Sequence, residues 1–374
     1  MRVLMIVMSD VLGDIRVRRE AESLSSAGYE VTIIGDRPAA DRTPPLNGVA
    51  VRFAREPRPQ AAARSRLTSA PRWLLLPWHR RRQLQAFQTR AVEVASRLPP
   101  PHVVHAHDLS ALPLATEIAR RTSADLVYDA HECWAGRKLA GRPTPILRWF
   151  ERRREQQLGG LASAVITVSD GIADWLRDRY GWSNVQVIRN SFPSKPYVSP
   201  RSASGLLYAG RIDEKRDLET LARAKSRLSG LEVTAIGPDG GAGASLRGRL
   251  ELRSPVPADD LDAMYRDHGL ALIPLAPGSL NHELALPNKL FQAVRSGVPV
   301  VAADLGELRR LVTYYDIGTL YRPGSINSLV RAVGEAVSRF DELVANVASA
   351  REQLSWEHDE RRLLEIYADL AKDS

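Results

Sequence analysis

The sequence predicts an α/β protein of two doubly wound domains that face each other across a cleft. Apolar runs of strand length alternate with amphipathic helical segments along the whole chain, which is the pattern of parallel sheets covered by helices. A length of 374 residues is more than one hydrophobic core usually supports. Residues 191–204 are rich in Pro and Ser and lack an apolar period, so they predict an interdomain linker. We therefore expect domains at 1–195 and 204–355, followed by a final amphipathic helix at 356–374.

The first half begins with a buried strand over 3–7. A helix over 14–27 follows, because its apolar residues recur at helical spacing and Gly28 ends it. Ser169 is a natural N-cap for a later helix, since its hydroxyl can accept a hydrogen bond from the first turn. The other elements expected in this half are strands at 31–34, 49–53, 102–107, 126–129, 164–168 and 185–188, and helices at 83–97, 110–121, 146–158 and 171–180.

The second half is most clearly defined over 271–303. An apolar run ends at Leu275, a polar loop ends at Pro287, and a short helix spans 288–296 before a second apolar run. Pro suits the start of that helix and Gly297 its end. In an open α/β sheet the loop after such a strand binds ligands, and the helix start offers free N–H groups to an anion. The other elements expected here are strands at 206–209, 232–236 and 250–252, and helices at 217–228 and 259–268.

Positive charge is concentrated in one part of the chain. The formal net charge is +8, and residues 51–100 alone carry 11 Arg against 2 Glu. This local excess predicts one surface that meets anions and argues against a general nucleic-acid-binding protein. Cys133 is the single cysteine, which excludes an intramolecular disulfide and a cysteine-based zinc cluster, so we expect a cytoplasmic protein. No apolar run has the length of a membrane span, and the first eight residues are typical of a strand, not of a signal peptide.

Two basic sites follow strand ends in the second half. Arg211 and Lys215 flank a turn after its first strand, and Lys289 lies in the first turn of the later short helix. A cation is disfavoured at a helix start, so Lys289 makes more sense beside a bound anion. Together the three side chains could hold a diphosphate, with Arg as a two-pronged donor and Lys as a point charge. The alternative is that Arg211 pairs on the surface with Asp213 or Glu214.

Histidines and carboxylates follow two neighbouring strands of the first half. His107 ends the strand over 102–107, and Asp129, His131 and Glu132 stand at the exit of the next strand. Because the carboxyl ends of parallel strands share one edge of the sheet, these side chains are expected at the cleft. A histidine at a strand end is also commonly a loop residue without a function.

Two other interpretations of this cluster stay open. The spacing H-x-H puts the rings of His105 and His107 on one face of a strand, and with His131 and the nearby carboxylates this is a zinc-like set. Cys133 and His131 could in principle form a nucleophile and base, although such close neighbours in sequence seldom do.

Eight segments share their order and spacing with one known family. They are 16-RVRREAESLSSAGYEVTII-34, 103-VVHAHDLSALPLA-115, 127-VYDAHE-132, 165-VITVSDGIADWL-176, 187-VIRNSFP-193, 207-LYAGRIDEKRDLETLARA-224, 286-LPNKLFQAVRSGVPVVAA-303 and the end, 356-WE to LLEIYADL-370. The chain resembles the retaining GT-B glycosyltransferases of family 4, also called glycosyl transferase group 1. The resemblance implies two Rossmann-like domains, with the helix over 356–374 crossing back onto the first.

The resemblance also implies an activity, the retaining transfer of a sugar from a nucleoside-diphosphate sugar, with UDP or GDP expected, to an acceptor hydroxyl. The acceptor would be a small molecule, a natural product, or a lipid or polysaccharide intermediate. Neither a metal nor another cofactor is implied, because Arg211 and Lys215 would stabilise the leaving diphosphate. Two alternatives remain, a non-catalytic or accessory sugar-nucleotide-binding protein and a sugar-nucleotide epimerase of the same fold. The implied donor-binding residues are Gly13, Gly210, Arg211, Lys215, Leu286, Pro287, Asn288, Lys289, Leu290 and Gln292.

The E-x7-E element of the family departs from its pattern in this chain. Gln292 replaces the second Glu, which normally contacts the ribose, and Leu284 stands where the first is expected. A Gln can still exchange hydrogen bonds with a diol, without the charge-assisted part of the contact. We expect Glu283, one residue away, to contact the donor sugar.

In the first half, the family pattern implies that His107 touches the donor sugar. Gly13 would permit close backbone approach to the substrates. The implied catalytic residues are His107, Arg211, Lys215 and Glu283. The residues expected on the acceptor side are Arg16, Asp129, His131 and Glu132.

The basic segment 72-RWLLLPWHRRR-82 has two interpretations. It could dock on anionic lipid, which would give peripheral contact at the inner membrane face through the 55–82 region. It could instead form acceptor-loop and helix surface, with Trp73 and Trp78 packed inward. We favour the second interpretation, because it is the more common arrangement.

Overall fold

The computed structural model describes residues 1–11, 13–36, 46–55, 86–136 and 145–372. These residues form two parallel β-sheets, one in each half of the chain, and helices cover both sheets. The fold class expected from the alternating pattern is therefore confirmed.

The first sheet contains seven parallel strands within the described residues. They are β1 (Arg2–Asp10), β2 (Glu30–Asp36), β3 (Val49–Arg55), β4 (Val103–His107), β5 (Asp125–Ala130), β6 (Ala164–Thr167) and β7 (Val185–Val187). Their order in the sheet is β3-β2-β1-β4-β5-β6-β7. The chain therefore reverses its direction of travel across the sheet between β1 and β4, which opens a crevice at the carboxyl ends of these two strands.

The described helices of the first half pack on both faces of this sheet. They are α1 (Ile15–Ser26), α2 (86–96), α3 (Asp108–Thr122), α4 (Pro145–Gly159) and α5 (Asp170–Tyr180). Asp14 caps α1 by accepting a hydrogen bond from the Val17 N–H, and Ser169 caps α5 by accepting from the Ile172 N–H. The N-cap expected at Ser169 is thus confirmed. Cys133 is followed by a short 3₁₀ turn that the sequence analysis did not predict.

The second sheet repeats the same topology. Its strands are β8 (Gly205–Ala209), β9 (Glu232–Ile236), β10 (Glu251–Arg253), β11 (Gly269–Ile273), β12 (Val300–Ala303) and β13 (Gly318–Tyr321). Their order is β10-β9-β8-β11-β12-β13, with the reversal between β8 and β11. The helices are α6 (Leu218–Ala224), α7 (Gly243–Leu246), α8 (Ala258–His268), α9 (Leu280–Leu284), α10 (Asn288–Arg295), α11 (Gly306–Tyr315), α12 (Ile326–Ser338), α13 (Phe340–Ala350) and α14 (Trp356–Lys372).

Helix α14 leaves the second half and completes the core of the first. Trp356, Leu363 and Tyr367 are buried in the cluster that contains residues of β1 and α1. The indole N–H of Trp356 donates to the Ser23 hydroxyl at 3.1 Å. The crossing implied by the family resemblance is confirmed.

Hydrogen bonds join the two halves along the cleft. The Ser169 hydroxyl donates to the Leu284 carbonyl at 2.6 Å, and the Cys133 N–H donates to the Asn281 side chain at 2.8 Å. The contacts come from the loops after β5 and β6 on one side and from α9 on the other. The loops at the carboxyl ends of both sheets are therefore held face to face.

The prediction for residues 72–82 lies outside the described residues, so both interpretations of that segment remain predictions. No helix in the described ranges has the length and apolar character that a membrane span requires.

Candidate active site

A cavity of about 370 Å³ lies between the two halves, where the carboxyl ends of their strands meet. Loops after β5 and β6 contribute His131, Glu132 and Val168, and the loop after β8 contributes Lys215 and Arg216. The rest of its wall, mostly from the segment between β11 and α10, is formed by Asn190, Leu275, Ser279, Asn281, His282, Ala285, Leu286, Pro287 and Asn288. We call this space the cleft cavity.

A second cavity, of about 290 Å³, adjoins the cleft cavity at the start of α1, and we call it the α1 cavity. The two cavities share His131, Asn190 and Asn288 as walls. The α1 cavity is lined in addition by Gly13, Asp14, Ile15, Arg16, Arg19 and Phe192. Of the residues expected on the acceptor side, His131 therefore faces both spaces, Glu132 the first and Arg16 the second.

A third cavity, of about 280 Å³, lies at the end of β8, and we call it the β8 cavity. Its wall is largely apolar, with the polar side chains of Asn288, Lys289 and Gln292 on one side. The other lining residues are Phe192, Ala209, Gly210, Ile236, Gly237, Pro238, Pro255, Val256, Leu261 and Tyr265. Asn288 lines all three cavities, so the start of α10 is the point where they meet.

Three basic side chains of the second half surround this meeting point. Lys215 and Arg216 line the cleft cavity, and Lys289 lines the β8 cavity. The Arg216 Nε–H is buried with no hydrogen-bond partner, and the Lys289 ammonium lies 5.5 Å from the centre of the Tyr208 ring. Burial, with a contribution from nearby Arg216, lowers the pKa of Lys289 to about 7. A bound anion would offset the desolvation free energy of these partly buried cations.

Gly210 provides the space that Lys289 occupies. A Cβ atom at position 210 would lie 2.2 Å from the Lys289 Cε and 2.5 Å from its Nζ. Gly237 on the next strand is required in the same way, because a Cβ there would lie 2.1 Å from the Gly210 carbonyl oxygen. Both glycines therefore allow a close approach of backbone and cation at the end of β8.

Arg211 lines none of the three cavities, and its role in binding the diphosphate stays a prediction. Its side chain is 65% exposed, and its Nε lies 3.7 Å from the Asp213 carboxylate. This is the surface pairing that the sequence left as an alternative. Arg216, which the sequence analysis did not select, lines the cavity together with Lys215. The available signal was a second basic residue directly after Lys215 in the same loop.

The start of α10 places most of its predicted residues at the cleft. Leu286, Pro287 and Asn288 line the cleft cavity. Leu290 is fully buried in the core of the second half. Its side chain lines none of the three cavities, and its contact with the donor stays a prediction.

Gln292 lies on the wall of the β8 cavity and is nearly buried. Its side-chain amide donates to Asp262, which also accepts from Arg295 at 2.7 Å, from Ser296 at 2.9 Å and from Lys195 at 3.0 Å. The Gln292 amide is thus bound to a carboxylate that three other groups hold in place. Its expected contact with a ribose stays a prediction.

Glu283 does not line any of the three cavities. Its carboxylate accepts a hydrogen bond of 3.0 Å from the Gly306 N–H at the start of α11. The neighbouring His282 lines the cleft cavity and bonds to the Ala276 carbonyl at 2.7 Å. Helix α9, which the sequence did not indicate, places the Glu283 carboxylate beside the start of α11. The contact of Glu283 with a donor sugar stays a prediction.

Arg16 and Asp129 form a buried ion pair that joins α1 to β5. Arg16 donates to the two carboxylate oxygens at 2.7 and 2.8 Å, to the Ile188 carbonyl at 2.7 Å and to the Asn190 side chain at 3.0 Å. Burial alone would raise the pKa of Asp129, but Arg16 and His131 hold it well below its ordinary value. Asp129 has no exposed surface and lies beneath the cavities, which corrects its expected place on the acceptor side.

His131 lies above Asp129 and faces both adjoining cavities. Its Nε2 is 2.8 Å from the Asp129 carboxylate, and its Nδ1 is 3.7 Å from Asp108. Burial would lower the pKa of His131, but these two carboxylates raise it to about 10. The ring is therefore a cation at neutral pH. Asp108, whose φ is 65°, accepts a hydrogen bond of 3.3 Å from the His131 N–H and so holds the loop that carries His131.

His107 is buried beneath His131 and lines none of the cavities. Its Nδ1 lies 3.2 Å from the His131 Nε2 and 3.3 Å from Asp129. Burial lowers the pKa of His107, so the ring is neutral at neutral pH. The contact of His107 with the donor sugar therefore stays a prediction. The side chain supports His131 from below.

His105 and Glu20 extend this network away from the cleft. The rings of His105 and His107 stack with centroids 4.3 Å apart, and the His105 Nδ1 lies 2.8 Å from the Tyr367 hydroxyl of α14. Glu20, His105, His107 and Asp129 carry possible metal-ligand atoms within 4.8 Å of one another, so the H-x-H geometry considered above is present.

The guanidinium of Arg16 already provides the positive charge that a metal ion would bring to these residues. It lies 3.0 Å from Glu20 and 2.7 Å from Asp129, which are the two carboxylates that a metal ion would need. Burial raises the pKa of Glu20 to about 8 in spite of Arg16. We therefore interpret the set as a charge network centred on Arg16.

Cys133 is a buried thiol. Burial raises its pKa to about 12, which disfavours the thiolate that a nucleophile needs. The pairing of Cys133 with His131 as nucleophile and base is therefore not supported.

The fold and the cleft together define a class of protein. Two doubly wound domains that face each other across a ligand cavity, with a C-terminal helix crossing back, form the GT-B arrangement of glycosyltransferases. A family model described as a glycosyl transferase 4-like domain matches residues 14–191, and one described as glycosyl transferases group 1 matches residues 203–339. The chain belongs to the group 1 glycosyltransferases of family 4.

Known relatives agree with this assignment. D-inositol 3-phosphate glycosyltransferase of Rhodococcus erythropolis is 25% identical over 335 residues, which are 77% of this chain and 73% of the relative. Among solved structures, sucrose-phosphate synthase from Thermosynechococcus elongatus covers 100% of both chains with a TM-score of 0.74 and 17% identity. The Anabaena protein HepE, in complex with UDP and glucose, covers 99% of this chain and 100% of its own with a TM-score of 0.70 and 15% identity.

Proposed function

We propose that the protein is a retaining, metal-independent glycosyltransferase that moves a sugar from a nucleoside-diphosphate sugar to an acceptor hydroxyl. The observation that carries this proposal is the group of basic side chains Lys215, Arg216 and Lys289 around the start of α10. None of the three forms an ion pair with a described carboxylate, and burial disfavours the Lys289 charge. A diphosphate supplies the negative charge that this arrangement lacks.

The cavities suit the parts of such a donor. The largely apolar β8 cavity would hold the base and ribose, with Gln292 near the ribose hydroxyls. The diphosphate would lie at the N–H groups of the first turn of α10, beside Lys289 and Arg216. The sugar would then enter the cleft cavity near His131. HepE in its complex holds UDP and glucose, which supports a donor of this kind, and UDP or GDP is the nucleotide we expect.

The reaction follows from this placement. The bond between the anomeric carbon and the diphosphate oxygen breaks, and the electron pair leaves with the diphosphate. The basic side chains stabilise that charge as it develops, so no metal ion is required for this step. The acceptor oxygen forms the new bond from the same face of the sugar, and its proton passes to the departing diphosphate oxygen. Closure of the two halves would exclude water from the cleft.

The experiment is an assay of purified protein with UDP- and GDP-sugars and an acceptor panel, with and without EDTA. Products are analysed by NMR, which gives the anomeric configuration. We expect retention of configuration, no effect of EDTA, and a loss of turnover in Arg216→Ala that exceeds the loss in Arg211→Ala. A larger loss in Arg211→Ala would return the leaving-group role to Arg211.

The main alternative is a sugar-nucleotide-binding protein without catalysis, which Gln292 and Leu284 at the E-x7-E positions motivate. Tight nucleotide binding without turnover on the whole panel would favour it. Epimerisation of the donor in the absence of an acceptor would instead indicate the third candidate function. An inverted product would refute the proposed stereochemistry.

A further inference from the structure

The α1 cavity contains a cation, Arg19, that lines neither of the two cavities proposed for the donor. The shared walls His131, Asn190 and Asn288 connect it to the place proposed for the transferred sugar. A molecule bound in the α1 cavity would therefore sit next to the reacting carbon, which is the position of the acceptor.

Arg19 is held firmly as a cation at this wall. Its guanidinium carbon lies 5.2 Å from the ring centres of both Phe192 and Trp356, and its NH1 donates to the Ser191 carbonyl. Two aromatic rings and a backbone carbonyl fix the side chain, since a guanidinium stacks well on aromatic faces. The position of Arg19 is thus set before any ligand arrives.

No described carboxylate forms an ion pair with Arg19. Burial, together with the neighbouring cations Arg16 and Arg295, lowers the pKa of Arg19 to about 10. By contrast, Arg16 on the preceding turn is satisfied by the two oxygens of Asp129. Glu20 and Asp359 act against this lowering of the Arg19 pKa, but neither forms an ion pair with Arg19, so an anion in the α1 cavity could still bind its guanidinium.

The carboxylate that lines the α1 cavity does not fill this role. Asp14 accepts hydrogen bonds from the Val17 N–H at 3.3 Å and from the Ser9 hydroxyl at 3.4 Å, as the N-cap of α1. The cation at His131 lines the same cavity. An anion placed in this cavity would meet Arg19, His131 and the start of a helix of 12 residues.

We propose that the acceptor is a small polyol bearing a phosphate group, and that Arg19 binds this phosphate in the α1 cavity while the acceptor hydroxyl reaches the cleft cavity. The proposal rests on the proposed glycosyltransferase function. It assigns the anchoring contact to a guanidinium, which can bind two phosphate oxygens at once. Arg19 then determines which acceptors are used and makes no contact with the donor.

The test compares matched acceptors on the protein saturated with UDP. Binding of glucose 6-phosphate and inositol phosphate is measured by calorimetry against glucose and inositol, with polyprenyl phosphate in detergent as the lipid-linked source. In the native protein the soluble phosphates should bind about 10- to 100-fold more tightly than their neutral parents. Arg19→Gln should abolish this preference, and Arg19→Lys should keep part of it.

Arg18→Gln is the matched control, because Arg18 pairs with Glu22 at 3.8 Å on the same helix and lines neither cavity. It should retain the preference for phosphate. Thermal unfolding of each variant separates loss of binding from loss of fold. Equal binding of phosphorylated and neutral acceptors, or an unchanged preference in Arg19→Gln, would overturn the proposal. Tight binding of polyprenyl phosphate, without binding of the soluble phosphates, would contradict the proposal that the acceptor is a small polyol.

Failure of the underlying function gives a different result. If UDP does not bind the native protein, the proposed donor site, and with it the proposed glycosyltransferase function, is wrong. If UDP binds equally to native protein and Arg19→Gln while the phosphate preference is absent from both, only the acceptor proposal fails.

Discussion

The network around Arg16 in the first half and the basic group at the start of α10 in the second half are organised in opposite ways. In the first half, Arg16 donates to both oxygens of Asp129 and His131 approaches the same carboxylate, so the buried charges satisfy one another. In the second half, Arg216 has an unpartnered buried Nε–H, and Lys289 faces a tyrosine ring with no carboxylate paired to it. A paired network fixes the positions of its side chains before a ligand binds, whereas cations without an ion-pair partner can bind an anionic ligand.

The same difference appears in the space around the charges. The first-half network is packed against α14, whose Tyr367 hydroxyl bonds to His105 beneath the site. The second-half cations stand beside glycines, and Gly210 leaves the room into which Lys289 projects. The comparison therefore predicts that changes in the Arg16–Asp129 network act mainly on stability, and that changes at Arg216 and Lys289 act mainly on ligand affinity.

The largest effect is expected for Asp129→Asn. The substitution removes the carboxylate that binds Arg16 through two oxygens and leaves Glu20, whose pKa is raised to about 8, as the remaining acidic neighbour. Removing one partner of a buried ion pair typically costs about 3–5 kcal/mol of the free energy of unfolding. Urea denaturation followed by circular dichroism measures the change.

The double variant Arg16→Met with Asp129→Leu is the control for that experiment. It removes both charges and should recover much of the lost stability, since replacing a whole buried pair with apolar side chains is often nearly neutral. If Asp129→Asn unfolds at the same urea concentration as the native protein, the first half does not depend on its charge network and the comparison fails.

The next effect is expected for Lys289→Met. Losing a charged contact to the diphosphate should weaken donor binding by about 10- to 100-fold. The free energy of unfolding should stay unchanged or rise, because the native site holds a charge that burial disfavours. Calorimetry with a UDP-sugar and urea denaturation measure the two quantities.

Lys225→Met is a matched control, since Lys225 is an exposed lysine of the same domain that lines none of the cavities. It should leave donor affinity unchanged. A loss of stability without a loss of donor affinity in Lys289→Met would show that Lys289 stabilises the fold and does not bind the donor.

A smaller effect is expected for the pH dependence of donor binding. The pKa of Lys289 is lowered to about 7 in the free protein, and the diphosphate should raise it again. Above pH 7 the side chain must therefore take up a proton on binding, so affinity should fall by up to about tenfold per pH unit until the pKa of the complex is reached. Below pH 7 the lysine is already charged and affinity should be flat.

Calorimetry of a UDP-sugar between pH 6 and pH 8.5 measures this slope, because the diphosphate of the intact sugar nucleotide has no ionisation in the range. Lys289→Arg keeps its charge throughout and should show no slope. An identical slope in Lys289→Arg would assign the proton to another group.

The fold class and most elements up to residue 303 could be predicted from the sequence, because those strands and longer helices each carry their own period. Between residue 303 and the final helix the sequence indicated further strands and helices without bounds. The helix expected over 171–180 is observed as Asp170–Tyr180, and the strand expected over 232–236 as Glu232–Ile236. Helix α9 was missed, since five residues are too few to show a helical period. That one short helix decides where Glu283 points.

The candidate site could be predicted as a location and less well as a set of contacts. Because parallel strands end at one edge, the loops that hold His131, Lys215 and Asn288 were expected together, and all three line the cleft cavity. The choice between Arg211 and Arg216 depends on how one loop packs, which no local pattern encodes. The pair of Arg16 with Asp129 links positions 113 residues apart, so the sequence offered no spacing that could indicate it.

Glu307 is a further buried charged residue, and it lies where the two halves contact each other. Its side chain is 6% exposed and reaches from the first turn of α11 to the first turn of α5. A Cβ atom on Gly171 would lie 2.6 Å from the Glu307 Oε2. Burial raises the pKa of Glu307 to about 7, although Arg310 at 3.9 Å acts against this.

The smallest effect is expected for Glu307→Gln. Because the folded pKa is higher than the ordinary value of 4.5, the folded protein binds more protons between pH 4.5 and pH 7. Glu307 therefore adds stability that is fully present below pH 4.5 and is lost as the pH rises to about 7. The stability difference between native protein and Glu307→Gln should change by about 1 kcal/mol across this window, since partial exposure and Arg310 moderate the charge. Urea denaturation at closely spaced pH values measures the difference, and a constant difference would mean that the contact between the halves tolerates the Glu307 charge as well as its neutral form.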